Sequence, residues 1–145
     1  MEPGFKLEES LGFLANLAAL ELKYSLTRTF KQHGHDVTAE QFAVLVCLWG
    51  KEVQTPSELA EHLAKDKTNM TRILDGMEKR NLVVRRFNES DRRSYGIHLT
   101  EAGLQIKDKL IPLAADINRS ALKGFSVKEE QALKKFLKNI FINLK

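Results

Sequence analysis

Apolar positions repeat with a helical period along most of the chain and switch to a strand-like period once, past residue 81. Leu7, Leu11, Leu14 and Ala18 form one stripe, and Phe13, Leu17, Leu20 and Tyr24 a second. Residues 7–32 therefore predict a long helix whose apolar face is broader than a surface helix needs. Gly34 ends it. Thr38 opens a second helix with Gln41 at the capping-box spacing, and the almost wholly apolar run from Gln41 to Trp49 makes that helix a central buried element. Thr55-Pro56-Ser57-Glu58 joins a cap, a proline suited to the first helical position and an acid able to reach back. The short helix it opens, residues 57–63, turns Leu59, Ala60 and Leu63 inward. A tight polar link, Ala64-Lys65-Asp66, leads into another helix over residues 67–80.

Residues 82–86 and 95–99 then read as strands, rich in Val83, Val84 and Ile97, with the polar turn 87–94 between them: a hairpin with a charged tip. Thr100 caps a further helix reaching residue 122, which Pro112 should kink or break. Ser126 and Glu129 make another capping box. The last helix carries Leu133, Phe136, Leu137, Ile140, Phe141 and Leu144 as a one-sided stripe. The expected architecture is mainly α with a small β-hairpin wing.

A chain of 145 residues is one compact unit, and its 29% charged and 43% hydrophobic composition fits neither disorder nor a fibre. The net charge of +4 becomes informative when it is located. Residues 64–95 hold nine positive charges (Lys65, Lys67, Arg72, Lys79, Arg80, Arg85, Arg86, Arg92, Arg93) and five negative ones, and the remainder of the chain balances. The single cysteine, Cys47, excludes a disulfide framework and suits a reducing compartment. The N-terminus has no secretory pattern, and apolar runs such as residues 42–49 are too short to span a bilayer. The expectation is a cytoplasmic protein away from membranes.

Two helices joined by a tight turn and followed by a hairpin form the winged helix-turn-helix pattern, in which the second helix enters the DNA major groove. At 100° per residue, Met70, Ile73, Leu74 and Met77 share one face of the 67–80 helix. The far face carries Lys65, Thr68, Arg72, Asp75, Gly76 and Lys79, flanked by Asn69 and Thr71, a set of donors suited to base edges and phosphates. The helix N-terminus adds free N–H groups. A solvated polar face would read the same way on a lone helix. The capped helix before it, the hairpin after it and the basic excess spanning both favour DNA. At the tip, Asp91 can brace Arg72 or Arg85, while Arg92 or Arg93 probes a minor groove or touches phosphate.

The run from Asn88 through Asp91-Arg92-Arg93 to Leu99-Thr100 resembles the wing signature of the MarR family of bacterial transcriptional regulators. Thr71-Arg72-Ile73-Leu74 and Met77 to Val83 are similar to the family's recognition helix and following strand. Asn81 stands where the family often has glycine, and both residues tolerate positive φ. The resemblance covers residues 38–103 strongly and the outer helices only in order, length and apolar pattern. It implies a homodimer, in which residues 38–100 are the DNA-binding domain and residues 1–37 and 101–145 intertwine with those of a second chain. The breadth of the apolar stripes on the first and last helices agrees, since a monomer core of this size would not cover both. It further implies a repressor on double-stranded DNA that reads an inverted repeat, with Ser57, Lys65, Thr68, Asn69, Thr71, Arg72 and Lys79 at the major groove and Arg92 or Arg93 at the minor groove.

Family members often release DNA when a small aromatic compound binds between the dimer helices and the winged domain. Leu17, Tyr24, Phe42, Val46 and Trp49 are the candidate lining here, although apolar spacing alone favours core for each of them. The family's oxidant-sensing cysteine in the first helix is absent, and Cys47, in an apolar run, reads as a buried inert thiol. His33, His35 and Asp36 lack a third strong ligand, so neither a metal nor any other cofactor is expected. No Gly-rich phosphate loop, His-Glu-x-x-His or nucleophile elbow points to an enzyme. The rival reading is a winged-helix module that binds a protein partner, which has no need of a clustered basic excess.

Overall fold

The computed structural model describes residues 4–145 and, at Arg92, the backbone alone. The first three residues of the predicted N-terminal helical region lie outside the described residues. Leu7–Glu9 is a separate 3-10 turn rather than the first turn of a long helix. Ser10 is extended (φ −75°, ψ 141°) and its hydroxyl accepts from the Phe13 amide, so the chain restarts there as α1 (Leu11–Gln32). Gly34, at φ +84°, turns the chain away from it.

Thr38 caps α2 (Ala39–Gly50) through the expected reciprocal box: its hydroxyl accepts from the Gln41 amide at 3.1 Å, and the Gln41 side chain accepts from the Thr38 amide at 3.2 Å. Buried Gln54 closes the other end by donating to the Cys47 and Lys51 carbonyls at 2.8 and 3.2 Å. It belongs to β1 (Val53–Gln54), a strand too short to leave a periodic signal in the sequence. Thr55 caps α3 (Pro56–His62), with the Glu58 carboxylate accepting from the Thr55 hydroxyl at 3.3 Å. Ala64 takes the left-handed conformation (φ 53°) in the turn, and Asp66 caps α4 (Lys67–Lys79) by accepting the Asn69 amide at 2.7 Å. Asn81, also left-handed at φ 58°, then turns the chain into the sheet.

The hairpin is longer than predicted. β2 (Val83–Asn88) and β3 (Asp91–Leu99) pair antiparallel almost to the tip, leaving Glu89 and Ser90 as the turn beside a register shift at Phe87 and Asn88. The polar sequence of residues 87–94 concealed strand structure, because side chains on a solvent-facing ribbon need not alternate. β1 adds to the far edge of β3, giving the order β1-β3-β2.

Thr100 caps α5 (Glu101–Gln105), and the helix breaks at Ile106 before α6 (Lys107–Ala121). The interruption thus precedes Pro112, which sits inside α6. The carbonyl that Pro112 leaves without a partner is that of Asp108, inside α6, so the break at Ile106 is not at the turn the proline strains. Ser126 and Glu129 form the capping box of α7 (Val127–Leu144).

One core joins these parts. Met70, Ile73, Leu74 and Met77 of α4 pack with Val44, Leu45 and Leu48 of α2, Leu59 of α3 and Ile97 of β3. Phe30 from the end of α1 and Leu110 from α6 enter the same cluster. Phe30 is the only buried residue of α1, and α7 has none. Among the described residues, no helix is long and apolar enough to cross a membrane.

Candidate nucleic-acid interface

The core face of α4 is buried as its spacing predicts, which turns its other side outward. Lys67, Thr68, Thr71, Arg72, Asp75, Gly76, Lys79 and Arg80 line one open concavity there. Gly76 lies at the edge of that side. A Cβ at this position would stand 2.9 Å from Gln41 Nε2, so the glycine marks where α4 approaches α2 rather than a point on the outermost face. Ser57 is exposed on α3 but does not line the concavity.

Three predicted DNA-facing residues belong to one network. Asn69 donates from Nδ2 to Asp66 at 3.3 Å and accepts from Arg72 Nη2 at 3.4 Å. The same Arg72 nitrogen lies 3.5 Å from Glu40 Oε1, and Lys65 Nζ lies 3.2 Å from Glu40 Oε2. Glu40, on the first turn of α2, therefore bridges Lys65 and Arg72. Burial raises its carboxyl pKa, but the hydrogen bond and charge of Lys65, aided by Arg72, more than offset that and hold it below the ordinary carboxylate value. Thr71 instead returns its hydroxyl to its own helix, donating to the Lys67 carbonyl at 2.9 Å.

The wing is braced through Arg85, but by partners other than the expected Asp91. Arg85 of β2 pairs with Asp75 of α4, and its Nη1 donates to Glu78 at 3.5 Å. Its guanidinium lies 5.6 Å from the centre of the Tyr95 ring, which is itself 5.4 Å from Phe87. The hydrogen bond to Asp75 raises the Arg85 pKa against the opposing effect of burial, so the group stays charged. Buried Nε has no hydrogen-bond partner.

The expected braces from Asp91 to Arg72 or Arg85 are replaced by these pairs, since both arginines meet carboxylates on the helices beside them. Asp91 instead shapes the tip, accepting the Arg93 amide at 3.0 Å. Arg93 is exposed at the start of β3 rather than in the turn. The Arg92 side chain lies outside the described residues. No motif announces Glu40 or Arg85; the one available signal for the brace was the Asp75 and Glu78 pair, one turn apart on α4.

The five candidate effector residues separate. Phe42 and Trp49 form an edge-on pair 6.0 Å apart, with Phe30 5.1 Å from Phe42, and Trp49 Nε1 donates to the Gly103 carbonyl at 2.9 Å. Leu17, Tyr24 and Val46 are exposed. Cys47 is half-buried rather than buried, and burial pushes its thiol pKa up. His33 Nδ1 meets the Thr29 carbonyl at 2.9 Å, while Asp36 pairs with Arg80 Nε at 3.0 Å. Among the described residues, no group of three or more His, Cys, Asp or Glu is arranged to hold a metal ion.

Comparison with known proteins places this geometry among DNA-binding regulators. The MarR family model matches residues 37–95. An organic hydroperoxide resistance transcriptional regulator of Bacillus subtilis is 32% identical over 114 residues, covering 77% of this chain and 75% of the relative. A mutant of E. coli MarR complexed with operator DNA has a similar structure, with a TM-score of 0.84 at 27% identity, covering 96% of this chain and 99% of that one. So does reduced AbfR bound to DNA, with a TM-score of 0.79 at 25% identity, covering 95% of this chain and 92% of that one.

Proposed function

Since the chain belongs to the MarR family of transcriptional regulators, we propose that it is a cytoplasmic repressor that binds an inverted-repeat operator as a homodimer. The observation that carries this reading is the division of α4: one face is buried in the core, and the other presents Thr68, Thr71, Arg72 and Lys79 on an open concavity. A major groove accepts a helix of this kind, and its base edges accept hydrogen bonds from these donors. Asn69 supports Arg72, Ser57 faces backbone phosphate, and Lys65 stands at the groove edge, paired with Glu40. Arg93, with Arg92, reaches the adjacent minor groove from the wing.

Residues 38–100 are the DNA-binding domain in this reading, and residues 1–37 and 101–145 join two chains. The apolar surface left open on the terminal helices supports that division. Leu11, Leu14, Leu17 and Tyr24 are exposed on α1, and Phe136, Leu137, Phe141 and Leu144 on α7. Apolar side chains exposed together in this way support a contact surface between two chains. A small aromatic effector would bind between the paired helices and the winged domain, against Phe42 and Trp49, with the exposed Leu17, Tyr24 and Val46 reaching it only through the second chain. The Phe42 and Trp49 pair on α2, the helix against which α1 packs, supports that placement.

The test is a titration, at fixed salt, of the wild type and Arg72→Ala against an operator selected from random DNA. A clear wild-type preference and a loss of about 1–3 kcal/mol in the variant support the reading. Equal binding to operator and random duplex would return the winged domain to a protein-binding role.

A further inference from the structure

Glu40 lies outside α4 and outside the wing, yet it is the carboxylate nearest to two cations assigned to DNA. It stands 3.2 Å from Lys65 Nζ and 3.5 Å from Arg72 Nη2. One Arg72 nitrogen is thereby held from two sides, by Glu40 and by Asn69, and Asn69 is anchored on the Asp66 cap. The Arg72 side chain remains 64% exposed, so its other donors stay available to a ligand, whereas Lys65 is only 23% exposed. Burial opposes the charged carboxylate, but Lys65 and Arg72 more than offset it and favour the ionised form.

This arrangement distinguishes the two kinds of acceptor that DNA offers. A backbone phosphate approaching Arg72 brings a negative charge towards the Glu40 carboxylate and is repelled by it. A guanine edge brings neutral acceptors, O6 and N7, and meets no such penalty. Other cations of the segment have no such neighbour: among the described residues, Lys67, Lys79, Arg86 and Arg93 form no ion pair. Those residues are suited to phosphate.

We propose that Glu40 is a specificity-determining positioning residue for DNA recognition: it holds the Arg72 guanidinium, masks Lys65 and disfavours phosphate at both, so that Arg72 is kept for a base edge. The inference rests on the DNA-binding reading above. It accounts for an acid at the edge of a surface whose net charge would otherwise favour indiscriminate binding.

The experiment compares the wild type with Glu40→Gln on the selected operator and on random duplex across a salt series. The variant keeps the size of the side chain and leaves the Thr38 and Gln41 capping box intact. Random-duplex binding should tighten by about threefold to tenfold at low salt, and its log–log salt slope should steepen by about one to two, the amount that one or two recovered phosphate contacts contribute. The operator-to-random ratio should fall. Arg72→Ala placed in the Glu40→Gln background should remove part of the gain. Glu130→Gln, which removes a negative charge from α7, should leave the slope at its wild-type value.

A Glu40→Gln slope and ratio equal to wild type, with Arg72→Ala still weakening operator binding, would overturn the role of Glu40 and leave the DNA reading standing. An equal change in Glu130→Gln would overturn it as well, since net charge alone would then explain the gain. Weaker operator binding in Glu40→Gln with no gain on random duplex would assign Glu40 to bracing alone and also overturn it. A wild type without preference for any selected sequence would overturn the DNA reading itself. Melting curves of every variant separate these outcomes from loss of the fold.

Discussion

Arg85 on β2 and Asp75 on α4 form an ion pair that ties the wing to the helix proposed to read DNA, and Glu78, one turn further along α4, accepts from the same guanidinium at 3.5 Å. The wing and the helix are therefore not independent attachments. Their relative position depends on one side chain that is 22% exposed and lies beside the Tyr95 ring. Arg85→Ala should lower stability by about 1–2 kcal/mol, the lower part of the range for a partly buried pair because both carboxylates remain solvated. Thermal melting measures this, and an operator titration should show a further loss as the wing is released. Arg85→Lys should restore little, because an ammonium cannot engage two carboxylates with a planar fork.

The wing arginine can be tested without disturbing that brace. Arg93→Ala should weaken operator binding by about 1–3 kcal/mol while leaving the melting temperature unchanged, since the Arg93 side chain is exposed and the bond to Asp91 uses its backbone amide. Unchanged binding would remove Arg93 from the mechanism.

Gly103 is where α5 meets the start of the sheet. A Cβ there would lie 2.2 Å from the Leu82 carbonyl oxygen, a backbone atom that cannot swing aside. The Gly103 carbonyl also accepts from Trp49 Nε1 at 2.9 Å. Gly103→Ala should cost about 1–3 kcal/mol by overpacking, despite the better helix propensity of alanine. Denaturant unfolding checks this, and a stabilised variant would contradict the packing described.

Burial raises the Cys47 pKa, so the thiol stays protonated at neutral pH. Only the thiolate is a nucleophile. Iodoacetamide at pH 7.5 should therefore label the folded protein more slowly than the same chain in urea, with the difference narrowing as the pH rises. Equal rates in the two states would contradict a suppressed thiolate.

The sequence disclosed what depends on local period and local caps. Met70, Ile73, Leu74 and Met77 could be assigned to the core from their angles, and Thr38 and Ser126 from the backbone chemistry they serve. It did not disclose β1, whose two residues carry no period, or the true length of the hairpin, where exposed residues hid the strands. It placed Leu7 in the first helix because spacing continues across Ser10, although a serine cap interrupts the backbone there. The pairs Glu40–Arg72 and Arg85–Asp75 were out of reach for a different reason. Each joins two elements, and only the packing of those elements decides which carboxylate an arginine meets. The acid expected beside Arg72 was Asp91 of the wing, and α2 supplied Glu40 instead.

The most direct test of the whole account is selection of bound duplexes from a random pool by the purified protein at a fixed salt concentration. The account predicts enrichment of an inverted repeat with half-site centres about one helical turn, roughly 10 base pairs, apart, bound by two chains. Recovery of no shared sequence, with retention no better than that of random duplex, would contradict it.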